Sequence, residues 1–102
     1  MSLADFQKQV DETFRGRQKP YWDPLSQLAH LVEEVGELGR LLNHLYGDKP
    51  KKLTEAHQEL PGELADVLFA VVCIANREKI DLDKAFAQAI IKTKTRDKDR
   101  FK

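Results

Sequence analysis

The sequence predicts an all-α domain built from four helices. Apolar residues recur at helical spacing in four segments, and typical helix-capping residues or proline precede most of them. No segment alternates apolar and polar residues as a half-buried strand does. The 102 residues fit one domain, residues 1–102, rather than two. A four-helix chain of this length buries only a limited core, which favours completion of the bundle by self-association.

The first predicted helix begins after Ser2, a good N-cap residue. Asp5 follows three positions later and completes a capping-box pattern. Gly16 is expected to end the segment, and residues 16–23 read as a loop. The apolar residues at helical spacing are Leu3, Phe6, Val10 and Phe14.

The second helix is expected from Pro24 to about Tyr46. Asp23 precedes Pro24, so a capping carboxylate stands before a proline at the first helical position, and Gly47 follows as a stop. The leucines and valines of this segment form one broad stripe along the helix.

The third helical pattern covers residues 63–77 and is apolar nearly all round, as in the central helix of a bundle. Pro61 and Gly62 precede it. They mark either a kink in a helix that Thr54 caps or the true start of the helix.

A fourth helix is expected after Asp81, a candidate cap. Its predicted buried face consists of Leu82, Phe86, Ala89 and Ile90. A basic tail at about 92–102 follows, and such an end is usually solvated and frayed.

Composition excludes several functional classes. Lys plus Arg and Asp plus Glu each number 17, so nothing in the net charge favours binding to a nucleic acid polymer or a membrane surface. The longest apolar run, 67–75, is far shorter than the ~20 residues of a membrane-spanning helix. The N-terminus lacks a secretory signal pattern, and Cys73 is the single cysteine. These features predict a cytoplasmic protein and a core role for Cys73.

Two pairs of acidic residues interrupt the apolar helices. Glu34 and Glu37 are three positions apart, as are Glu63 and Asp66, so the members of each pair point the same way. The first pair lies at the border of the apolar stripe, beside Glu33. His30 and His44 share that border, where a surface or cleft-rim histidine is the simpler interpretation.

The acidic pairs predict a site for a hard cation. Asp66 lies among apolar residues, where an unpaired carboxylate would cost several kcal/mol, and a cation shared with the first pair would satisfy all four groups. Oxygen ligands suit Mg²⁺ and also Mn²⁺, both of which often hold substrate phosphates. Zinc is disfavoured because soft or imidazole ligands are missing from the acidic pairs. A di-iron site is disfavoured because the sequence contains no Glu-x-x-His pair.

The motif "EEVGE" at 33–37 followed by "ELAD" at 63–66 resembles the MazG-like family of all-α nucleoside triphosphate pyrophosphohydrolases. Every fixed position of the pattern Glu-Glu-x-x-Glu, gap, Glu-x-x-Asp is filled. The flanking "YWDPLSQLAH" and "VLFAVVCIANREKIDL" extend the similarity to roughly residues 20–90.

The resemblance implies hydrolysis of a nucleoside triphosphate at the α–β phosphoanhydride with Mg²⁺, giving the monophosphate and pyrophosphate. It also implies a homodimer or a homotetramer. Carried over by position, the metal ligands are Glu34, Glu37, Glu63 and Asp66. Glu33 is left with two roles, binding a second metal through water or orienting the attacking water.

Further residues are candidates for contact with the substrate. Trp22 or Tyr21 would stack on the base, although packing between helices or subunits is the favoured role for Trp22, since large aromatic residues serve cores first. Lys92, Lys94 or Arg96 would contact phosphate oxygens unless the tail is only a solvated end. Asn76 would either hydrogen-bond the substrate or hold a loop.

Two functions of other classes compete with catalysis. One is a helical module that dimerises and binds a protein partner, with the acids as structural remnants. The other is a regulator that binds a nucleotide without cleaving it.

Overall fold

A computed structural model of the chain describes residues 1–48 and 59–97, and within these ranges it contains four α-helices and no strand. The helices are α1 (Leu3–Phe14), α2 (Pro24–Tyr46), α3 (Leu60–Arg77) and α4 (Leu82–Asp97). The predicted all-α, four-helix class is therefore confirmed. None of these helices is long and apolar enough to cross a membrane.

The capping box of α1 forms as predicted. The Asp5 N–H donates to Ser2 Oγ at 3.0 Å, and the Ser2 N–H donates to Asp5 Oδ2 at 2.9 Å. Gly16 follows the helix with a φ of +91°, in the left-handed region that favours glycine. The chain can therefore turn sharply there into the loop that carries Tyr21 and Trp22.

Helix α2 starts where the sequence predicts, but the expected capping hydrogen bond is not made. Asp23 occupies the N-cap position before Pro24, yet its side chain makes no capping hydrogen bond. Instead its carboxylate lies 3.0 Å from Lys19 Nζ and 3.9 Å from an Arg77 guanidinium nitrogen. These exposed ion pairs contribute little stability, so the proline is the stronger determinant of this helix start.

The third helix begins at Leu60 with Pro61 in its first turn, so Pro61 and Gly62 mark the true start rather than a kink. The predicted cap Thr54 lies outside the described residues. As expected for a central helix, α3 packs against α2 along much of its length and also against α1. The buried apolar side chains in the described part of the chain are Leu41 of α2 and Ala70, Val72 and Ala75 of α3.

The fourth helix is capped as predicted. Asp81 Oδ1 accepts the backbone N–H groups of Asp83 at 2.9 Å and Lys84 at 3.4 Å. The helix continues to Asp97, so residues 92–97 are helical rather than a frayed end, and residues 98–102 lie outside the described ranges.

The predicted buried face of α4 is wrong for a single copy of the chain. Phe86 is 58% exposed and Ile90 is 42% exposed, and α4 contains no buried residue. The helix packs mainly against α1, and the Asp83 carboxylate accepts the N–H groups of Leu3 and Ala4 at 3.1 and 3.2 Å. The helix does carry apolar residues on this face, but little of the described chain packs against them.

A buried amide links three of the helices. Gln7, the buried residue of α1, donates from Nε2 to Asn76 Oδ1 at 3.0 Å and to the Ile80 carbonyl oxygen at 2.8 Å. Its Oε1 accepts the Leu82 N–H at 3.0 Å. The Nδ2 of Asn76 donates in turn to the Gln7 carbonyl oxygen and to the Tyr21 hydroxyl oxygen, both at 2.9 Å. Helices α1, α3 and α4 and the loop before α2 are therefore fixed by one network of satisfied polar groups.

A long apolar surface stays uncovered on α2. Five of its side chains are at least half exposed, although they follow the stripe that the sequence predicts to be apolar. They are Leu25, Leu28, Val32, Val35 and Leu45. We call this surface the α2 stripe. Contiguous apolar surface of this kind usually marks a contact with another protein surface.

We expect Tyr21 to titrate late. Burial, together with donation of the hydroxyl proton to Asp11, raises the pKa of Tyr21 from 10.0 to about 12. The folded protein therefore holds this proton more tightly than the unfolded chain does. The resulting stabilisation is complete below pH 10 and is lost as pH rises through about 12.

Tyrosinate absorbance recorded against pH tests this expectation. The wild type should show a step near pH 12 that Tyr21→Phe removes and the control Tyr46→Phe keeps. A wild-type titration that is complete well below that pH would contradict the network.

Candidate metal centre

Three of the predicted carboxylates converge where α2 and α3 pack together. One oxygen from each of Glu34, Glu37 and Glu63 lies within 4.8 Å of the other two. Glu34 and Glu37 come from one face of α2, and Glu63 comes from the first turn of α3. We call these three residues the carboxylate cluster. The two acidic segments, 26 residues apart from Glu37 to Glu63, are therefore brought together by the helix pair.

The cluster combines negative charge with partial burial. Glu63 is 7% exposed, Glu34 is partly buried, and Glu37 is exposed. Carboxylates so close repel one another, and burial strengthens the repulsion because less water screens it. Glu34 Oε2 is buried without a hydrogen-bond partner among the described residues. A cation bound between the three groups would offset the repulsion and satisfy this oxygen.

His30 supports the cluster from the neighbouring turn of α2. Its Nε2 lies 3.1 Å from Glu34 Oε1, and the Trp22 ring packs edge-on against the imidazole at a centroid distance of 5.5 Å. One Glu34 oxygen is therefore held by the histidine, whereas the other stays available. Second groups that orient a ligand in this way commonly raise the affinity of metal sites.

The donor set fits a hard divalent cation. All three converging groups supply oxygen, and neither a thiol nor an imidazole nitrogen belongs to the cluster. Magnesium and manganese prefer such ligands, whereas a structural zinc site uses cysteine and histidine. The residues that are present therefore agree with the cation class expected from the sequence.

Two predicted acidic residues lie outside the cluster. Asp66 is partly buried one turn beyond Glu63 and interacts with another group of the chain. Glu33 is exposed and lines an open depression together with Trp22 and His30. Both residues lie on the helices that the sequence predicts, but only three of the five predicted acids converge in the structure.

The basic candidates lie elsewhere on the fold. Lys92 and Arg96 are exposed on α4, which packs mainly against α1, whereas the cluster lies on α2 and α3. The Arg96 guanidinium pairs with its neighbour Asp97 at 3.0 and 3.3 Å. Asn76 has both ends of its side-chain amide engaged within the protein, which fits the loop-holding role.

An aromatic cavity lies beside the cluster. It has a volume of about 100 Å³ and is bounded by α1, the 16–23 loop, α2 and α3. Phe14 packs edge-on against both Tyr21 and Phe69, with ring centroids 5.5 and 6.0 Å away. Trp22 and His30 also line the cavity, and His30 contacts Glu34 of the cluster. We refer to this space as the aromatic cavity.

Gln27 is a buried polar residue of the cavity whose burial the sequence does not reveal. It is 4% exposed, and its Nε2 donates to the Cys73 carbonyl oxygen at 3.0 Å. It lies three, seven and ten positions before His30, Glu34 and Glu37, so it belongs to the same side of α2. Its position on the same side of α2 as the acids was a sequence signal that Gln27 lies near the site. A glutamine alone, however, does not indicate that its side chain is buried.

Cys73 lines the same cavity and is partly buried. Burial, with a smaller contribution from Asp11, raises the pKa of its thiol above the usual value. A reactive nucleophile needs the opposite shift, so the predicted packing role fits the surroundings of this residue.

Comparisons with known proteins agree with this fold. The model of the MazG nucleotide pyrophosphohydrolase domain matches residues 23–101. The chain is 44% identical over 100 residues to the protein YpjD of Bacillus subtilis (strain 168), covering 98% of this chain and 90% of YpjD. It is 29% identical over 89 residues to YvdC of the same organism, covering 81% of this chain and 84% of YvdC.

Two crystal structures are similar over nearly the whole chain. That of YpjD from Bacillus subtilis superposes with a TM-score of 0.80 at 41% identity and covers 90% of this chain and 94% of its own. That of a Bacillus-conserved MazG protein, a nucleotide pyrophosphohydrolase, gives a TM-score of 0.79 at 39% identity, with coverage of 97% and 96%.

We expect Glu37→Gln to have opposite effects with and without a divalent cation. In chelator the variant should melt a few degrees above the wild type, because one repelling charge is gone and ~1 kcal/mol shifts the melting temperature of a small domain by roughly 4–8 °C. With Mg²⁺ or Mn²⁺ the wild type should gain stability and the variant should gain less.

Titration calorimetry with Mn²⁺ measures the same difference directly. Affinity should fall roughly tenfold or more in Glu37→Gln. Glu12→Gln, an exposed change on α1, is the matched control and should bind like the wild type. A wild type whose melting temperature ignores both cations would contradict the metal centre.

Proposed function

Because the chain belongs to the MazG nucleotide pyrophosphohydrolase family, we propose that it hydrolyses a nucleoside triphosphate between the α and β phosphates and needs Mg²⁺ to do so. The products are the nucleoside monophosphate and pyrophosphate. The physiological setting that we infer is sanitation of the nucleotide pool, by removal of a canonical or modified (deoxy)nucleoside triphosphate.

The observation that carries the proposal is the carboxylate cluster within the MazG fold. Glu34, Glu37 and Glu63 would hold Mg²⁺, with the remaining coordination positions left for water and phosphate oxygens. Asp66 is proposed as a further ligand, since it follows Glu63 by three positions and shares its side of α3.

Other side chains around this centre are proposed to have separate roles. A bound divalent cation supplies neutralisation of the triphosphate charge and activation of water. His30 positions Glu34, whereas the exposed Glu33 is suited to orienting the attacking water or holding a second cation through water. The excess negative charge of the protein site thus favours the cation that the polyanionic substrate requires.

Substrate contacts are proposed from two directions. Trp22 is 57% exposed beside His30, so one of its faces is available to stack on a base. Lys92 and Arg96 would contact phosphate oxygens. Because α4 packs mainly against α1, their approach to the cluster depends on how copies of the chain assemble.

A second copy of the chain is the proposed cover of the α2 stripe. Val32 and Val35 are 62% and 50% exposed on it, and Gly36 and Gly39 have open space where a side chain would begin. Glycine on a helix surface permits close approach of another helix. A homodimer or homotetramer would bury this surface and enlarge the small core of the single chain.

The activity is tested by incubating a panel of nucleoside triphosphates with Mg²⁺ and identifying the products. Pyrophosphate and monophosphate are expected in equal amounts. Glu37→Gln and Asp66→Asn should lower kcat/KM by roughly 100-fold or more, because both weaken the hold on the cation.

Glu12→Gln serves again as the control and should match the wild type. Release of orthophosphate alone, or nucleotide binding without turnover, would overturn the proposed reaction. The second of these outcomes is the result that a nucleotide-binding regulator would give.

The assembly is tested by light scattering on the size-exclusion peak. The wild type should have at least twice the mass of one chain, and Val32→Glu should shift it to the single-chain mass because burying the new charge is costly. Thr13→Glu adds the same charge to an exposed site on α1 and should leave the assembly intact. A wild type that is monomeric at micromolar concentration would contradict the proposal.

A further inference from the structure

We propose that Tyr21 is a positioning residue for the metal centre. Its hydroxyl anchors the 16–23 loop, which holds Trp22 against His30. His30 in turn fixes the orientation of Glu34. The inference rests on the metal centre of the proposed function, and it adds a contact outside the site that sets the affinity for the cation.

Tyr21 is the residue by which the loop before α2 is anchored to the rest of the fold. From Arg15 to Ser26 it is the one residue that is not exposed. Its hydroxyl donates to the Asp11 carboxylate of α1 and accepts from Nδ2 of Asn76 on α3. One oxygen atom therefore ties the loop to two helices.

The surroundings hold this hydroxyl in a defined place. The side-chain amide of Asn76 also accepts from Gln7 Nε2 and donates to the Gln7 carbonyl oxygen, so it cannot follow a moving tyrosine. Phe14 packs edge-on against the Tyr21 ring, with the centroids 5.5 Å apart. Burial and the hydrogen bond to Asp11 raise the pKa of Tyr21 to about 12, so the hydroxyl keeps its proton at neutral pH.

The other polar contacts of the loop are weaker or lie elsewhere. Lys19 pairs with Asp23 at 3.0 Å, but their side chains are 62% and 64% exposed, and such pairs contribute little stability. The Arg17 guanidinium lies over the Phe14 ring and holds the α1 end of the loop. The tyrosine hydroxyl is therefore the main polar anchor at the α2 end, where Trp22 lies.

Trp22 connects the loop to the site. It follows Tyr21 directly in the chain, so its backbone is placed by the anchored residue. Its ring packs edge-on against the His30 imidazole at a centroid distance of 5.5 Å. The imidazole is therefore bounded by a side chain whose position the loop sets.

His30 carries the effect to a candidate metal ligand. Its Nε2 lies 3.1 Å from Glu34 Oε1, and Glu34 converges with Glu37 and Glu63 in the carboxylate cluster. A shift of the imidazole would therefore turn the Glu34 carboxylate and displace a ligand oxygen. Mutation of a group that orients a metal ligand typically changes metal affinity by roughly 10–100-fold. Tyr21 acts two contacts further out, so we expect a smaller effect of about threefold.

The link from Tyr21 to Trp22 is tested by fluorescence, because Trp22 is the single tryptophan of the chain. Tyr21→Phe keeps the ring and removes both hydrogen bonds of the hydroxyl. In chelator, acrylamide should quench this variant more strongly than the wild type, since a released loop leaves the indole more accessible. Tyr46→Phe, at an 80% exposed position of α2, is the matched control and should be quenched like the wild type. Equal quenching of all three proteins would overturn the inference.

The link to the metal centre is tested by titration calorimetry with Mn²⁺. His30→Leu should weaken binding roughly tenfold and Tyr21→Phe about threefold, whereas Tyr46→Phe should bind like the wild type. If Tyr21 served stability alone, its loss would lower the melting temperature and leave the Mn²⁺ affinity of the folded protein unchanged. That result would contradict the positioning role.

The route through Trp22 is tested by a double-mutant cycle. Trp22→Leu should weaken Mn²⁺ binding at least as much as Tyr21→Phe, because it removes the contact with His30. In the Trp22→Leu background, Tyr21→Phe should have no further effect, since two residues that act through one contact are not additive. Two independent losses that simply add would show that Tyr21 does not act through Trp22.

Asp11 provides a second pair of variants that leaves the tyrosine in place. Asp11→Asn keeps an oxygen that accepts the hydroxyl proton and should bind Mn²⁺ like the wild type. Asp11→Leu removes the acceptor and should move both the quenching and the affinity in the direction of Tyr21→Phe. Because Asp11 is exposed, neither change disturbs the core. Indistinguishable behaviour of these two variants would count against the anchor.

This inference and the proposed reaction can fail separately. A wild type that binds no Mn²⁺ would overturn the metal centre and the inference with it. Mn²⁺ binding that Tyr21→Phe leaves unchanged would overturn the inference alone. Weaker Mn²⁺ binding in Tyr21→Phe, in a protein that hydrolyses no triphosphate, would support the positioning role and remove the reaction.

Discussion

The close packing of α2 on α3 is the contact on which the rest of the molecule depends. The two helices form the most extensive contact between elements of the described chain, and the buried apolar residues, Leu41 of α2 and Ala70, Val72 and Ala75 of α3, all belong to them. The same contact brings the carboxylates of Glu34 and Glu63 toward each other. Apolar burial thus holds together a pair of helices whose charges repel, and a cation is the simplest way to remove the conflict. A bundle that merely needed stability would place no acids there.

Buried amides do the positioning that apolar contacts cannot. Gln7 and Asn76 fix the ends of α1, α3 and α4 through directed hydrogen bonds, and Tyr21 ties the loop before α2 into the same network. That loop carries Trp22 to the edge of the aromatic cavity. Gln27 makes a similar link between α2 and α3 through Nε2, which donates to the Cys73 carbonyl oxygen. Its Oε1, by contrast, is buried without a hydrogen-bond partner among the described residues.

The sequence predicted local structure well and long-range contacts unevenly. Helix starts at Ser2, Pro24 and Asp81 were readable because caps and prolines act within a few residues. The proximity of Glu34 and Glu37 could be predicted, because helical periodicity places residues three positions apart on the same side of α2. What periodicity could not give was the rotation of α3 against α2, which decides that Glu63 joins the cluster while Asp66 stays outside it. Nor could it tell whether the apolar residues of α4 meet a partner within the same chain. Burial of Gln7 and Gln27 was likewise invisible, since it depends on tertiary contacts rather than on residue type.

The α2 helix carries two of the clustered carboxylates and the α2 stripe at different angles, which links the proposed assembly to the candidate site. Two of the three clustered carboxylates and Gln27 lie on the side of α2 that faces α3 and the aromatic cavity. Val32 and Val35 lie on another side, exposed in the single chain. Most of the stability of a helix in water comes from packing of its apolar face. A second copy seated on the stripe would therefore restrain the helix that sets the distance between Glu37 and Glu63. On this reasoning the oligomer would contribute to metal affinity even if it supplied no ligand of its own.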